Sequence, residues 1–189
     1  MTVTININAI DPKVSREQAE GLVRNRSLFT SLLSKLSLYK EEFKREGTYY
    51  YPIYLLYSSV RIKKPFSQWR QLKQLCALDG ITGRYGIVDY TLPEIKEIEL
   101  ASEKVMSSQF SKDTVVARGV QHFCRYVERC HKPVSAETYN IDMVKEVYLP
   151  YYVFSTASGT KVFTVDSLTG RVDPIKETPV LEQLYFGMP

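Results

Sequence analysis

The chain has 189 residues, of which 44% are hydrophobic and 24% charged, with a formal net charge of +4. That length can bury a real core without staples, and the balance excludes collagen-like, low-complexity and largely disordered classes. The charge is mildly basic, below the Lys/Arg loading of a dedicated nucleic-acid binder, so it leaves the partner class open.

From the N-terminus, Val3, Ile5 and Ile7 alternate with polar residues up to Ile10. This reads as a strand, and with neither a basic n-region nor a continuous apolar stretch no signal peptide is expected. Ser15 and Gln18 form a capping box. Leu22, Phe29, Leu36 and Phe43 then recur every seven residues, with Leu32, Leu33 and Tyr39 on the same broad face. The spacing predicts one long amphipathic helix ending at Gly47. From Tyr49 the pattern becomes that of a strand through Tyr57 to Ile62, followed by a second strand over 72–78, a turn at Asp79 to Arg84 and a short third strand at Ile87 and Val88.

Thr91 and Glu94 make a second capping box with Pro93 in the first turn, which predicts a helix to about Gln109. A further helix is expected from Asp113 to His131, with Val116, Val120, Phe123, Val127 and Cys130 as its apolar stripe and Pro133 ending it. Two strands over 145–154 and 161–165, a turn at Asp166 to Arg171, and an irregular but docked tail from Pro174 complete the expectation. The longest near-apolar run, Tyr49 to Tyr57, falls far short of the roughly 20 residues of a membrane-spanning helix, so no span is expected. Cys76, Cys124 and Cys130, an odd number in a chain of this size, favour reduced thiols and a cytoplasmic setting. An extracytoplasmic form whose signal has been removed would read the same way.

Placing Pro52 on Pro150 aligns Tyr50-x-Pro52-x-Tyr54 with Tyr148-x-Pro150-x-Tyr152, and each is followed by Asp-x-[Ile/Leu]-Thr-Gly-Arg. Matched motifs in the same order predict a duplication, residues 1–90 and 91–189, each a long helix on a small antiparallel sheet in an α+β fold. The two hairpins should superpose, the first carrying an insertion between about Ser58 and Gln71. The strand and Thr-Gly turn signature, with the helix opening at Val14 to Ala19, resembles PepSY-type repeats over roughly residues 10–90 and 95–175. The resemblance implies a non-catalytic domain of a kind associated with regulating or inhibiting peptidases, usually outside the cytoplasm.

Catalytic and cofactor signatures are absent. Gly80, Gly83 and Gly86 fit neither the dinucleotide fingerprint nor a P-loop, and the nucleophile-elbow and HExxH patterns do not occur. His122, Cys124, Cys130 and His131 have metal-ligand residue types, but at about 100° per residue on one helix they diverge, so no metal is expected. No enzyme activity and no cofactor are expected. The most individual segment is the insertion, where Arg61, Lys63, Lys64, Arg70 and Lys73 interleave with Phe66 and Trp69 and no acidic residue intervenes. Together with Tyr54 and Tyr152 on the aromatic strands, these are the candidate partner-binding residues. Pro52 and Pro150 place those strands at a sheet edge or a bulge, where pairing groups are open to a partner. The leading expectation is a regulatory or scaffolding module binding a protein or peptide. The alternative is nucleic-acid or anionic-surface binding through Arg61 to Lys73.

Overall fold

The computed structural model describes residues 3–29 and 42–186. The strands are β1 (Thr4–Ile10), β2 (Phe43–Lys63), β3 (Arg70–Asp79), β4 (Tyr85–Ile87), β5 (Ile95–Ala101), β6 (Ser135–Ala136), β7 (Asn140–Thr156), β8 (Val162–Asp166) and β9 (Val172–Pro174). The helices are α1 (Arg16–Phe29), α2 (Lys112–His131) and α3 (Pro179–Phe186). Strand order is β4-β3-β2-β7-β1-β5, with β6 beside β2 and β8 between β7 and β9. The sheet is mixed, because β1 runs parallel to β7 and antiparallel to β5. Helix and sheet are both present, but the expected architecture, two long helices each on a small antiparallel sheet, is overturned by this nine-stranded mixed sheet. Among the described residues, no helix is long and apolar enough to cross a membrane.

Two of the expected helices account for the difference. The seven-residue spacing from Leu22 to Phe43 predicts helix to Gly47, yet Phe43 to Gly47 begin β2. Phe43 packs edge-on against Phe163 of β8, with ring centroids 6.1 Å apart. Leu32, Leu33, Leu36 and Tyr39 lie outside the described residues. The capping box at Thr91 and Glu94 is followed by β5 rather than a helix, because Ile98 and Leu100 pair across the ladder with Ile7 and Ile5 of β1. Cross-strand apolar pairing here overrides a local helix signal. The tail also departs from expectation: a short helix, α3, buries Leu181.

Contacts divide the chain into two compact units. Unit 1 comprises Met1–Tyr51, Pro93–Met106 and Tyr148–Pro189, and unit 2 comprises Pro52–Leu92 and Ser107–Val147. In unit 1 the first capping box forms as read, since the Ser15 N–H donates to Gln18 Oε1 at 2.8 Å and the Gln18 N–H to Ser15 Oγ at 3.2 Å. Helix α1 then buries Ala19 and Val23 against Tyr152, Phe154, Val165 and Val172.

In unit 2 the inward residues of β2, Tyr54, Leu56, Val60 and Ile62, meet Cys76 and Leu78 of β3 under Val115, Phe123 and Val127 of α2. Ser111 caps α2 by accepting the Thr114 N–H at 3.3 Å, and Lys132, with φ 46°, ends it before Pro133. The stripe is turned slightly from expectation: Val115 and Gly119 are buried where Val116 and Val120 were expected, and Cys130 is exposed. Gly119 sets this rotation. A Cβ there would stand 2.8 Å from Leu56 Cδ1, so the missing side chain lets the helix lie close to β2.

The matched turns repeat down to their hydrogen bonds. Asp79 Oδ1 accepts the N–H groups of Ile81 and Thr82, and Asp166 Oδ1 those of Leu168 and Thr169. Thr82 and Thr169 hydroxyls each accept from the following arginine's N–H. Gly83 and Gly170 complete the turns at φ 69° and 70°. Each hairpin carries a helix on one face, and that helix comes from the other half of the chain: α2 covers β2–β3 and α1 covers β7–β8.

Of the two expected settings for the prolines, the sheet edge is overturned, since β2 and β7 are interior strands. Pro52 and Pro150 sit just beyond the last cross-strand pairs, Ile53↔Asp79 and Tyr151↔Asp166. Having no N–H, each leaves the facing turn carbonyl to another donor. The Gly80 carbonyl accepts the Gln109 N–H at 2.8 Å, and that of Ser167 accepts Lys13 and Val14 N–H at 3.0 and 2.9 Å. The segment leading into each helix is thereby tied to the other half's turn.

Gly83→Ala and Gly170→Ala should each lower stability by about 1–2 kcal/mol, the penalty of a Cβ in left-handed backbone. Gly86→Ala, at a position with open space and no positive φ, should stay within about 0.5 kcal/mol of wild type. Urea unfolding midpoints check this. Equal values for all three substitutions would contradict the turn assignment.

Candidate partner-binding surface

The first hairpin is twice as long as the second, with ten cross-strand pairs between β2 and β3 against five between β7 and β8. The insertion therefore extends the ladder and carries its basic segment to the tip. At that tip Pro65 occupies the second position of a four-residue turn and Phe66 the third, and the Ser67 N–H closes it on the Lys64 carbonyl at 3.2 Å. Phe66 has φ 58°, and proline followed by positive φ is the pattern of a type II turn. That third position normally takes Gly or Asn, because a bulky side chain in left-handed backbone costs on the order of 1 kcal/mol or more. The Phe66 ring gains no packing in return: it is fully exposed.

The base of the tip is held on its flank. β6 pairs with Ile62 and Lys63, and the Val134 and Glu137 N–H groups donate to the Lys63 and Arg61 carbonyls, each at 2.9 Å. Arg61 makes a 3.0 Å ion pair with Glu137 and lies 5.7 Å from the Trp69 ring centroid. Trp69 is 39% exposed. Lys63, Arg70 and Lys73 are exposed and Lys64 half-buried. With Arg61 offset by Glu137, Lys63, Lys64 and Arg70 flank the turn that carries Phe66, and Lys73 lies further along β3 opposite Ser59. Burial, then the charges of Lys64 and Arg70, hold His131 below the usual histidine range, so it adds no charge to the tip at neutral pH. The sequence singled out the basic residues and Trp69. It did not show the supporting role of Val134 and Glu137, which reach the tip through contacts more than sixty residues away in sequence.

Tyr54 and Tyr152 are not part of this surface. Both are buried, and their hydroxyls donate to the carbonyls of Phe110 and Val14, the residues before the two helix caps, at 3.3 and 3.0 Å. Burial raises the Tyr54 hydroxyl above the usual phenol range; a hydrogen bond with Ser108 opposes this and the nearby Glu146 carboxylate adds to it. Among the other strand tyrosines, Tyr51 packs on Tyr151 at 5.8 Å and Tyr49 edge-on to Tyr185 at 6.4 Å, while Tyr57 is exposed.

The four residues with metal-ligand chemistry occupy separate surroundings. His122 stacks on Tyr85 with centroids 4.9 Å apart, Cys124 Sγ lies 3.4 Å from Glu128 Oε1, His131 meets Tyr126 edge-on and Cys130 is exposed. Among the described residues, no three His, Cys, Asp or Glu side chains are grouped to hold a metal ion. Comparison with family models, curated proteins and solved structures found no match to this chain.

Proposed function

We propose that this protein is a non-catalytic binding module that presents the β2–β3 hairpin tip to an acidic protein partner. The observation that carries the reading is Phe66, an exposed aromatic ring held at a turn position where glycine is the cheaper residue. Strain retained without packing benefit is a mark of a functional contact. An exposed aromatic anchor flanked by Lys63, Lys64 and Arg70 suits an apolar pocket with an acidic rim, in which aromatic and basic side chains dominate binding energy. A protein is favoured over a nucleic acid because Arg61 lies over the Trp69 ring and is already paired with Glu137, which draws both away from a stacked base or a phosphate.

A photo-crosslinking phenylalanine analogue at position 66, introduced in the native cell, tests this. It should trap one partner protein, with a yield that falls as salt rises and collapses when Lys63 and Arg70 become Ala, whereas the same probe at the exposed Glu97 traps none. Phe66→Gly should leave stability unchanged or raise it by about 1 kcal/mol by removing the strain, and should compete poorly with wild type for the trapped partner. Yields at position 66 no greater than at position 97 would refute the proposal.

A further inference from the structure

Unit 1 contains a half-open cavity of about 370 Å³. Arg16, from the first turn of α1, and Lys104, from the turn after β5, stand on it. Thr48 and Tyr50 of β2, with Tyr152 and Phe154 of β7, supply the rest of its wall. The wall is anchored at Tyr50, which bridges Val105 and accepts the Met106 N–H on its carbonyl at 3.0 Å. A volume near the lower end of ligand pockets fits a small molecule rather than a dinucleotide.

The charges on this wall are unevenly satisfied. Arg45, also on the cavity, gives two hydrogen bonds to Glu20, at 2.9 and 2.7 Å. Glu46 accepts the Ser155 hydroxyl at 2.6 Å and lies 3.7 Å from Lys44. Arg16 and Lys104, by contrast, have no carboxylate within 4 Å among the described residues, and the half-buried Tyr50 hydroxyl has no hydrogen-bond partner among them. Burial raises the Tyr50 and Tyr152 hydroxyls above the usual phenol range, and Arg16 is the first opposing influence on both. The cavity therefore offers two cations that make no ion pair within 4 Å among the described residues, beside phenol groups, the Glu46 carboxylate and the apolar Phe154.

The internal duplication supplies a template for what belongs there. Setting Tyr152 on Tyr54 sets Thr48 on Glu146, and setting the Ser15 cap on Ser111 sets Arg16 on Lys112. In unit 2 the Glu146 carboxylate stands beside Tyr54. In unit 1 the matching position holds Thr48, on the wall of the cavity, so the tyrosine is kept and that carboxylate is not. We infer that unit 1 binds a small organic carboxylate, its anionic group between Arg16 and Lys104 and its apolar body against Tyr50 and Phe154. This site is independent of the hairpin tip.

Titration of ¹⁵N-labelled protein with benzoate, and with neutral benzamide as the isosteric control, tests the inference. Benzoate should shift the amides of Gly47, Thr48 and Lys104 saturably with a dissociation constant on the order of 1 mM or tighter, and benzamide should bind at least about tenfold more weakly, a ratio set by a charge-assisted contact. Thr48→Glu, which restores the carboxylate of unit 2, should abolish benzoate binding. Because Thr48 is buried, the double variant Arg16→Gln with Lys104→Gln, both exposed, provides a second arm: it should fold as wild type and lose about tenfold or more in affinity. Equal binding of benzoate and benzamide, no saturable shift by roughly 20 mM benzoate, or unchanged affinity in the double variant would overturn the inference.

Discussion

Phe123→Ala should destabilise the protein by about 3–5 kcal/mol, the largest effect expected of a single core substitution here. Phe123 is fully buried in the core of unit 2, between the β2 residues Leu56 and Val60 and the edge of Tyr139, whose ring centroid is 5.9 Å away. Gly119, one turn earlier on α2, holds the helix close to β2, so the sheet cannot move inward to fill the space that truncation leaves. A domain of ordinary stability has about 5–15 kcal/mol in total, so the loss should be plain in a urea midpoint. Hydrogen exchange should accelerate first in α2 and β3, while α1 and β8, built around the separate core of Ala19, Val23 and Val165, change less. Phe66→Ala is the matched control: the same residue type, fully exposed, should cost nothing measurable. A loss below about 1 kcal/mol for Phe123→Ala would contradict the packing described.

The sequence was legible where structure is decided locally. The Asp-x-x-Thr-Gly-Arg turns, the Ser15 and Gln18 capping box, the aromatic strands and the extent of α2, though not its exact buried stripe, formed as read, because an Asx-type bond, a cap or a period-two pattern needs only neighbours in the chain. It was misleading where distant partners decide. Ile95 to Leu100 carries a capping box upstream and a helix-compatible spacing, yet the strand β1, some ninety residues earlier, pairs Ile7 with Ile98 and Ile5 with Leu100. Phe43 continued a seven-residue period and became the first residue of a long strand, because Phe163 offered it a packing partner that spacing does not reveal.

The duplication was visible, but its consequence was not. Each motif pair is a docking device as well as a turn: the proline frees a turn carbonyl, the second tyrosine holds the residue before a helix cap, and both partners come from the opposite half of the chain. Nothing in a hairpin motif says which helix will lie on it. The PepSY likeness rested on those same local turns, which explains how it could suggest a helix on a small sheet while the strands assemble otherwise. In the candidate surface, likewise, the basic residues were legible from composition. That Tyr54 and Tyr152 serve the core, and that Phe66 is the ring left outside, depended on the exchange of helices and on the backbone angle at one turn.

Replacing Lys63, Lys64 and Arg70 with Ala should leave the fold intact, because changes at the exposed Lys63 and Arg70 usually stay within about 0.5 kcal/mol each and the half-buried Lys64 belongs to no core cluster. Its effect should fall on association. Removing the three cations that flank the tip turn should slow capture of an acidic partner by about tenfold or more at low salt, and flatten the salt dependence that the wild type shows. The same variant separates protein from nucleic-acid binding. Four cations on a single-stranded 20-mer of thymidine would give a salt slope near −3, hence roughly a 60-fold loss of affinity between 50 and 200 mM salt, and stacking on Trp69 would make binding fall further in Trp69→Ala. With Arg61 lying over Trp69, the expected result is weak retardation at low salt that vanishes by about 150 mM and is indifferent to Trp69→Ala. Micromolar binding that depends on both salt and Trp69 would reverse the assignment and make the tip a nucleic-acid contact.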